Sequence, residues 1–140
     1  MYCLVYMSSP TREMDDEEVQ ELLRRAKQNN DRDGITGILI HTRRRYLQCL
    51  EGEEARVEAA FARISLDRRH RAIIRLQSGT IDRRQFPGWA LASKMAVNGG
   101  SLKEIVEPLV RNCDRAVANE LLKFAEARDR AASDQATRQG

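Results

Sequence analysis

The sequence predicts an α+β domain whose elements run β-α-β-β-α-β-β, followed by two further helices. Three observations carry that prediction. Short apolar runs stand at 2–7, 35–41, 46–51 and 72–78, lengths that suit strands. Two longer segments, after Asp15 and after Gly52, carry apolar residues at helical spacing. Glycine, proline and asparagine separate these pieces at the places where turns are needed.

The first run, YCLVYM, is apolar and β-prone, and Ser8-Ser9-Pro10 is expected to stop it. Asp15 and Asp16 then put negative charge where a helix begins. Val19, Leu22, Leu23 and Ala26 fall on one face of that helix, and Asn30, three turns beyond Val19, extends the same inward face. Gly34 is placed to cap its C-terminus. ITGILIH (35–41) and YLQCLE (46–51) read as two strands of a hairpin with Arg43-Arg44-Arg45 at its tip. Val57, Ala60, Phe61 and Ile64 mark the inner stripe of a second helix ending at Asp67-Arg68-Arg69-His70. Residues 72–78 supply a fourth strand, and 88–97 a fifth after Phe86-Pro87-Gly88.

This order maps onto a split βαβ, ferredoxin-like sheet with both helices on one face, in which the first and third strands are neighbours. After Asn98-Gly99-Gly100, Ser101 with Glu104 forms a capping box for a third helix, broken or kinked at Pro108. Asp114 caps a fourth, with Val117, Leu121 and Phe124 as its stripe, and the polar tail from Ala131 is expected to fray. The expected organisation is a sheet domain over 1–97, a helical extension over 98–131 and a polar tail over 132–140.

Composition excludes several classes. In 140 residues, 41% are hydrophobic and 32% charged, enough apolar content for one core. No run approaches the roughly 18 apolar residues of a membrane span. MYCLVYMSSP lacks the basic leader and cleavage site of a signal peptide, so a cytoplasmic location and no membrane partner are expected. Cys3, Cys49 and Cys113 are an odd number without a C-x-x-C, and His41 and His70 are the only histidines, so neither a disulfide framework nor a metal site is expected. Net charge is +3, yet only four of the 24 basic residues are lysines. The other 20 are arginines, the better residue for planar contacts to phosphate or carbonyl oxygen, set against 21 acids.

Three polar side chains stand where periodicity assigns core. Tyr6 shares a strand face with Tyr2 and Leu4, Gln48 shares one with Tyr46 and Leu50, and Asn30 ends the stripe of the first helix. Adjacent first and third strands would make Tyr6 and Gln48 cross-strand neighbours facing the helices. A buried amide without a partner costs roughly 1–3 kcal/mol, so these groups either satisfy one another or serve a polar, planar ligand.

At these residues the sequence resembles the BLUF family, flavin-binding blue-light sensors of this topology, from about Tyr2 to Val97. The resemblance rests on Leu4-Val5-Tyr6, Asn29-Asn30, Gly34-Ile35-Thr36-Gly37 and Leu47-Gln48-Cys49-Leu50-Glu51-Gly52. It continues through Asp67-Arg68-Arg69-His70 and Arg84-Gln85-Phe86-Pro87-Gly88-Trp89. It implies noncovalent FAD, with FMN or riboflavin as other forms, held between the two helices. By position it implies that Asn30 bonds the polar edge of the ring and that Gln48 lies between Tyr6 and the flavin. Arg69 would reach the opposite carbonyl, with His70 beside the ring and Asn29 as a second amide or a helix cap. Leu22, Ile38 and Ile64 would be apolar walls, on pattern and resemblance together.

The resemblance also implies a sensor and not an enzyme, with Tyr6 and Gln48 photoactive and Trp89 and Leu91 relaying the signal. Leu91 departs from the family, which usually carries methionine there. Beyond Val97 only the two helices and the tail are expected, so signalling would pass to a protein partner. Leu102, Ile105, Leu109 and Leu121 suit either core or a dimer seam, and a homo-oligomer is expected. A ferredoxin-like nucleic-acid module is the alternative, weakened because only 5% of residues are aromatic and YLQCLE carries no aromatic ladder. A small hydrolase finds no nucleophile paired with a base.

Overall fold

The computed structural model describes residues 1–12, 15–41, 45–86, 92–95, 102–111 and 113–139. Its elements are β1 (Tyr2–Pro10), α1 (Asp16–Asp33), β2 (Thr36–His41), β3 (Tyr46–Gly52), α2 (Glu54–Leu66), β4 (His70–Thr80), β5 (Ala92–Met95), α3 (Leu102–Leu109) and α4 (Arg115–Gln139). The sheet order is β4-β1-β3-β2-β5, with β1 antiparallel to both β3 and β4 and β2 antiparallel to β3. This is the expected ferredoxin-like arrangement with the first and third strands adjacent.

Local chemistry explains the boundaries. Asp15 accepts the Glu18 N–H at 2.8 Å while the Glu18 carboxylate accepts back from the Asp15 N–H, a complete capping box at the start of α1. Gly34 ends the helix in the left-handed region at φ 68°, its N–H donating to the Asn30 and Asp31 carbonyls. β1 runs on through Ser8-Ser9-Pro10 instead of stopping at Met7, because β4 is long enough to pair with it as far as Pro10↔His70. Pro10 stands at the strand end, where its missing N–H interrupts no ladder. The longer β4 keeps register with two shifts, and Ala72 at φ 51° lies at the second, between Met7↔Ile74 and Ser9↔Arg71.

The sheet's core lies under α2. Leu4, Tyr6, Ile35, Leu50, Val57 and Ala60 form one buried cluster, with Tyr2, Phe61, Ile64 and Ile73 packed at its margin. Side chains of an antiparallel pair share a face, so Tyr6, Gln48 and Leu39 stand in one row and Ser8, Tyr46 and His41 in the next. Val5, Cys49 and Ile38 point to the other face, where the buried Cys3 and Cys49 sulfurs stand 3.3 Å apart as free thiols.

The chain divides into two compact units, Met1–Lys94 and Met95–Gly140. In the second, Val106, Val110, Val117, Leu121, Phe124 and Ala125 are buried. The Lys103 N–H donates to Asp129 at 3.1 Å, bringing the start of α3 beside the later half of α4. Asp114 accepts the Ala116 N–H at 3.0 Å, as a cap should. Pro108 sits in the last turn of α3. The expectation of fraying from Ala131 is corrected: α4 continues to Gln139, and Arg and Gln among the alanines of that stretch are good helix formers despite their polarity. The hairpin tip at 42–44, the Ser101 cap, Trp89 and Leu91 lie outside the described residues.

Candidate functional site

A cavity of about 280 Å³ opens between α1, α2 and the sheet. Its floor comes from β3, β1 and β2, which present Gln48, Tyr46, Tyr6 and Leu39. Helix α1 contributes Leu22, Leu23, Ala26, Asn29 and Asn30, and α2 contributes Ala60 and Ile64. The loop after α2 and the start of β4 bring Asp67, Arg69 and His70, and Arg25 and Arg63 complete the rim.

Tyr6 and Gln48 are paired across β1 and β3, and the Tyr6 hydroxyl donates to Gln48 Oε1. Both are buried, at 2% and 6% exposure. Burial pushes the Tyr6 phenol well above its ordinary pKa of 10.0, so it stays protonated and remains a donor. With Oε1 engaged by Tyr6, the amide N–H₂ is what Gln48 can offer a ligand. Phe61 packs edge-on against the Tyr6 ring at 5.3 Å and holds it in place. Asn30 is buried, its backbone carbonyl accepting from Ile35 at 2.8 Å. The Asn29 and Asn30 side chains bond no other described residue, so two amides face the cavity with their hydrogen-bonding capacity open.

Arg69 is held by a fork on Asp67, with Nη2 2.6 Å from Oδ2 and Nε 3.0 Å from Oδ1. This pairing holds the Asp67 carboxyl down at about 2. His70 Nδ1 lies 3.2 Å from Ser8 Oγ, and its ring meets Tyr46 edge-on at 5.5 Å. Tyr46 stacks on His41 at 4.6 Å, so an imidazole–phenol–imidazole column stands beside the polar floor. Burial lowers the pKa of both histidines below their ordinary 6.5.

That depression has a sign. Each histidine is neutral when folded near pH 7, and the stability this contributes is present above the unfolded value near 6.5. It is lost as pH falls from there through the lowered folded value. Asp67 and Asp33 titrate only near about 2, below the window in which the histidines act. His41 Nδ1 is also buried without a hydrogen-bond partner among the described residues. His41→Phe should therefore keep the stack, be neutral or stabilising by about 1 kcal/mol at pH 7, and flatten the loss of stability on acidification. Thermal melts at pH 7 and pH 5 check this, and an unchanged pH slope would refute it.

The structure brings together Tyr6, Leu22, Asn29, Asn30, Gln48, Ile64, Arg69 and His70 around the cavity. Ile38 is corrected. It pairs with Cys49 on the opposite face of the sheet, and Leu39, paired with Gln48, is the β2 wall. In the continuous apolar run ILIH nothing marks which alternate residues face the cavity; only the register to β3 decides. Tyr46, Arg25 and Arg63 were missed as lining residues, although the alternation that places Gln48 on the cavity side places Tyr46 there too.

The model for "BLUF: Sensors of blue-light using FAD" matches residues 1–92, well over half the chain. The chain belongs to the BLUF family. It is 28% identical over 113 residues to the photoactivated adenylate cyclase subunit beta of Euglena gracilis, covering 78% of this chain and 13% of that protein. Among solved structures, the dark state of the BLUF protein BlrB aligns with TM-score 0.72 at 26% identity, over 90% of this chain and 96% of that one. The photo-activated state of BlsA aligns with TM-score 0.67 at 27% identity, over 91% and 93%. As a BLUF chain it is a flavin-binding blue-light sensor domain of α+β fold.

The cavity fits the ring system of such a cofactor. A planar tricycle with one polar edge needs apolar walls, open amides and a positive group, and Leu22, Leu39 and Ile64, Asn29, Asn30 and Gln48, and Arg69 supply these in turn. No helix among the described residues is long and apolar enough to cross a membrane.

Proposed function

We propose that this BLUF chain is a blue-light photoreceptor that works by rearranging the hydrogen bond between Tyr6 and Gln48, and that it passes the change to a protein partner. The observation that carries this reading is the buried Tyr6–Gln48 hydrogen bond on the cavity floor, beside two open asparagine amides. Bound flavin, once excited, supplies a strong electron acceptor. Tyr6 would give that acceptor an electron and pass its phenolic proton along the hydrogen bond to Gln48 Oε1, and both side chains line the cavity. The glutamine amide presents a carbonyl on one side and an N–H₂ on the other, so turning it or shifting its tautomer exchanges donor for acceptor at the cavity without breaking the chain. Re-pairing one buried hydrogen bond is worth about 1–3 kcal/mol, enough to move a two-state balance by roughly fivefold to a hundredfold.

We assign Asn30 to the polar edge of the ring, Arg69 and His70 to its far side, and Trp89 and Leu91 to the relay. A phosphate-bearing flavin, with FAD as the family's usual form, is favoured over riboflavin, because Arg25 and Arg63 stand at the rim, where a phosphate-bearing tail would emerge. Both arginines are shared with carboxylates, Arg25 with Glu21 and Arg63 with Asp33, each at 3.0 Å. The Arg25→Ala, Arg63→Ala double variant should bind FAD roughly tenfold more weakly with riboflavin affinity unchanged. Equal losses for both ligands, in fluorescence titrations, would refute a phosphate role.

The chain itself is read as a sensor without catalytic activity, sited in the cytosol and acting as a homo-oligomer. BlrB and BlsA, matched over nearly their whole chains, support the sensor reading, and three free cysteines suit a reducing compartment. Absorption spectra before and straight after blue illumination test the reading. Flavin bands with a reversible red shift are expected, and a protein that takes up no added FAD would refute it.

A further inference from the structure

Glu51 is fully buried on the face of the sheet away from the cavity. It follows Gln48 on β3 by three residues, an odd step, so the two side chains leave the strand on opposite sides. Glu51 Oε1 accepts the Phe86 backbone N–H at 2.7 Å and the Thr36 hydroxyl at 3.0 Å, and Oε2 accepts the Gln85 backbone N–H at 2.7 Å. Arg84 ties the same place together. Its Nη1 donates to Thr36 Oγ1 at 2.8 Å and to the Glu51 main-chain carbonyl at 3.3 Å, and its Nη2 donates to the Gly34 carbonyl at 2.8 Å.

A buried carboxylate is costly, and an apolar side chain would pack here at less cost if packing were all that was needed. What the carboxylate adds is direction. Two consecutive backbone amides are strung on its two oxygens by short bonds, so the chain at Gln85–Phe86 takes its orientation from the end of β3. That chain continues through Trp89 and Leu91 into β5 (Ala92–Met95). Arg84 and Glu51 thus join the three stretches GITG, LEG and RQF, which are remote in sequence.

We infer that Glu51 is a positioning residue that couples β3, and with it Gln48, to the segment leading into β5. The inference rests on the photoreceptor reading above. A shift of β3 that accompanies the change at Gln48 is carried to Gln85 and Phe86 through the carboxylate, since bonds at 2.7 Å leave little slack. The coupling needs no thioether at position 91, where this chain has leucine.

The test is hydrogen–deuterium exchange on the full flavin-bound chain, in the dark and under blue light, for wild type and Glu51→Gln. The glutamine keeps the shape but turns one acceptor oxygen into a donor facing an N–H. Wild type should show faster exchange over 83–95 in light. Glu51→Gln should keep the flavin red shift, exchange roughly tenfold faster at Gln85 and Phe86 in the dark, and lose the light-minus-dark difference over 83–95. A wild-type light difference retained in Glu51→Gln would overturn the coupling, as would a wild type that red-shifts with no change over 83–95. A wild type without any red shift would instead remove the photoreceptor reading, and the coupling with it. If Glu51→Gln fails to hold flavin, Arg84→Gln serves: it leaves the carboxylate in place and should at least halve the light difference, and an undiminished one overturns the coupling.

Discussion

Gln48→Leu should still bind flavin in the dark and show no red shift under blue light. Leucine fills most of the glutamine's volume in the row between Tyr6 and Leu39, so the floor of the cavity keeps its shape. What it removes is the acceptor of the Tyr6 hydroxyl and the donor on the cavity side. The orphaned phenol costs about 1–3 kcal/mol, which a domain of ordinary stability survives. On the proposed assignment, Asn29, Asn30, Arg69 and the apolar walls remain to hold the ring. Absorption spectra before and after illumination decide it, and a normal red shift in this variant would refute the bridging role of Gln48. Tyr6→Phe is the companion. It keeps the ring that packs against Phe61 at 5.3 Å and removes only the hydroxyl. The dark fold should persist while the photocycle is lost, and wild-type cycling would exclude Tyr6 as the donor.

Gly37→Ala should be among the most destabilising single substitutions in the chain. A Cβ there would lie 1.8 Å from the Cys49 carbonyl oxygen and 2.9 Å from its carbon. The obstacle is backbone and cannot swing aside as a side chain would. Relief requires β2 to separate from β3 next to Gln48, so the fold and the site suffer together. A loss of about 3 kcal/mol or more follows, with a fall in Tm of roughly 10 °C and weakened flavin binding. Gly34→Ala provides the contrast within the same GITG turn. Nothing lies within 4 Å of its Cβ, and the cost there is the left-handed φ of 68° alone, about 1 kcal/mol. Parallel melts of the two variants check both the ranking and its cause. A Gly37→Ala variant as stable as Gly34→Ala would refute the close approach.

Much of this architecture was legible because its signals are local. The Asp15–Glu18 cap, the Gly34 stop and the stripe of Val57, Ala60 and Ile64 depend on neighbours within a turn or two, and the element order follows from them. The oddity of Tyr6, Asn30 and Gln48 was legible too, since a polar side chain at a core position shows against the periodicity around it. Strand ends were less so. Ser8-Ser9-Pro10 reads as a stop, yet β1 continues because β4 is there to pair with it.

The sequence by itself determined the alternation, the helix faces and the three polar residues at core positions, Tyr6, Asn30 and Gln48, while flavin entered through the family resemblance. Only the tertiary structure decided that Leu39 and not Ile38 lines it, that Tyr46 and the rim arginines Arg25 and Arg63 join it, and that Glu51 turns away from Gln48 to hold Gln85 and Phe86. The physical reason is the strand's period of two. In an uninterrupted apolar run such as ILIH both faces are buried, so hydropathy does not distinguish them, and the face is settled only by register against a strand elsewhere in the chain.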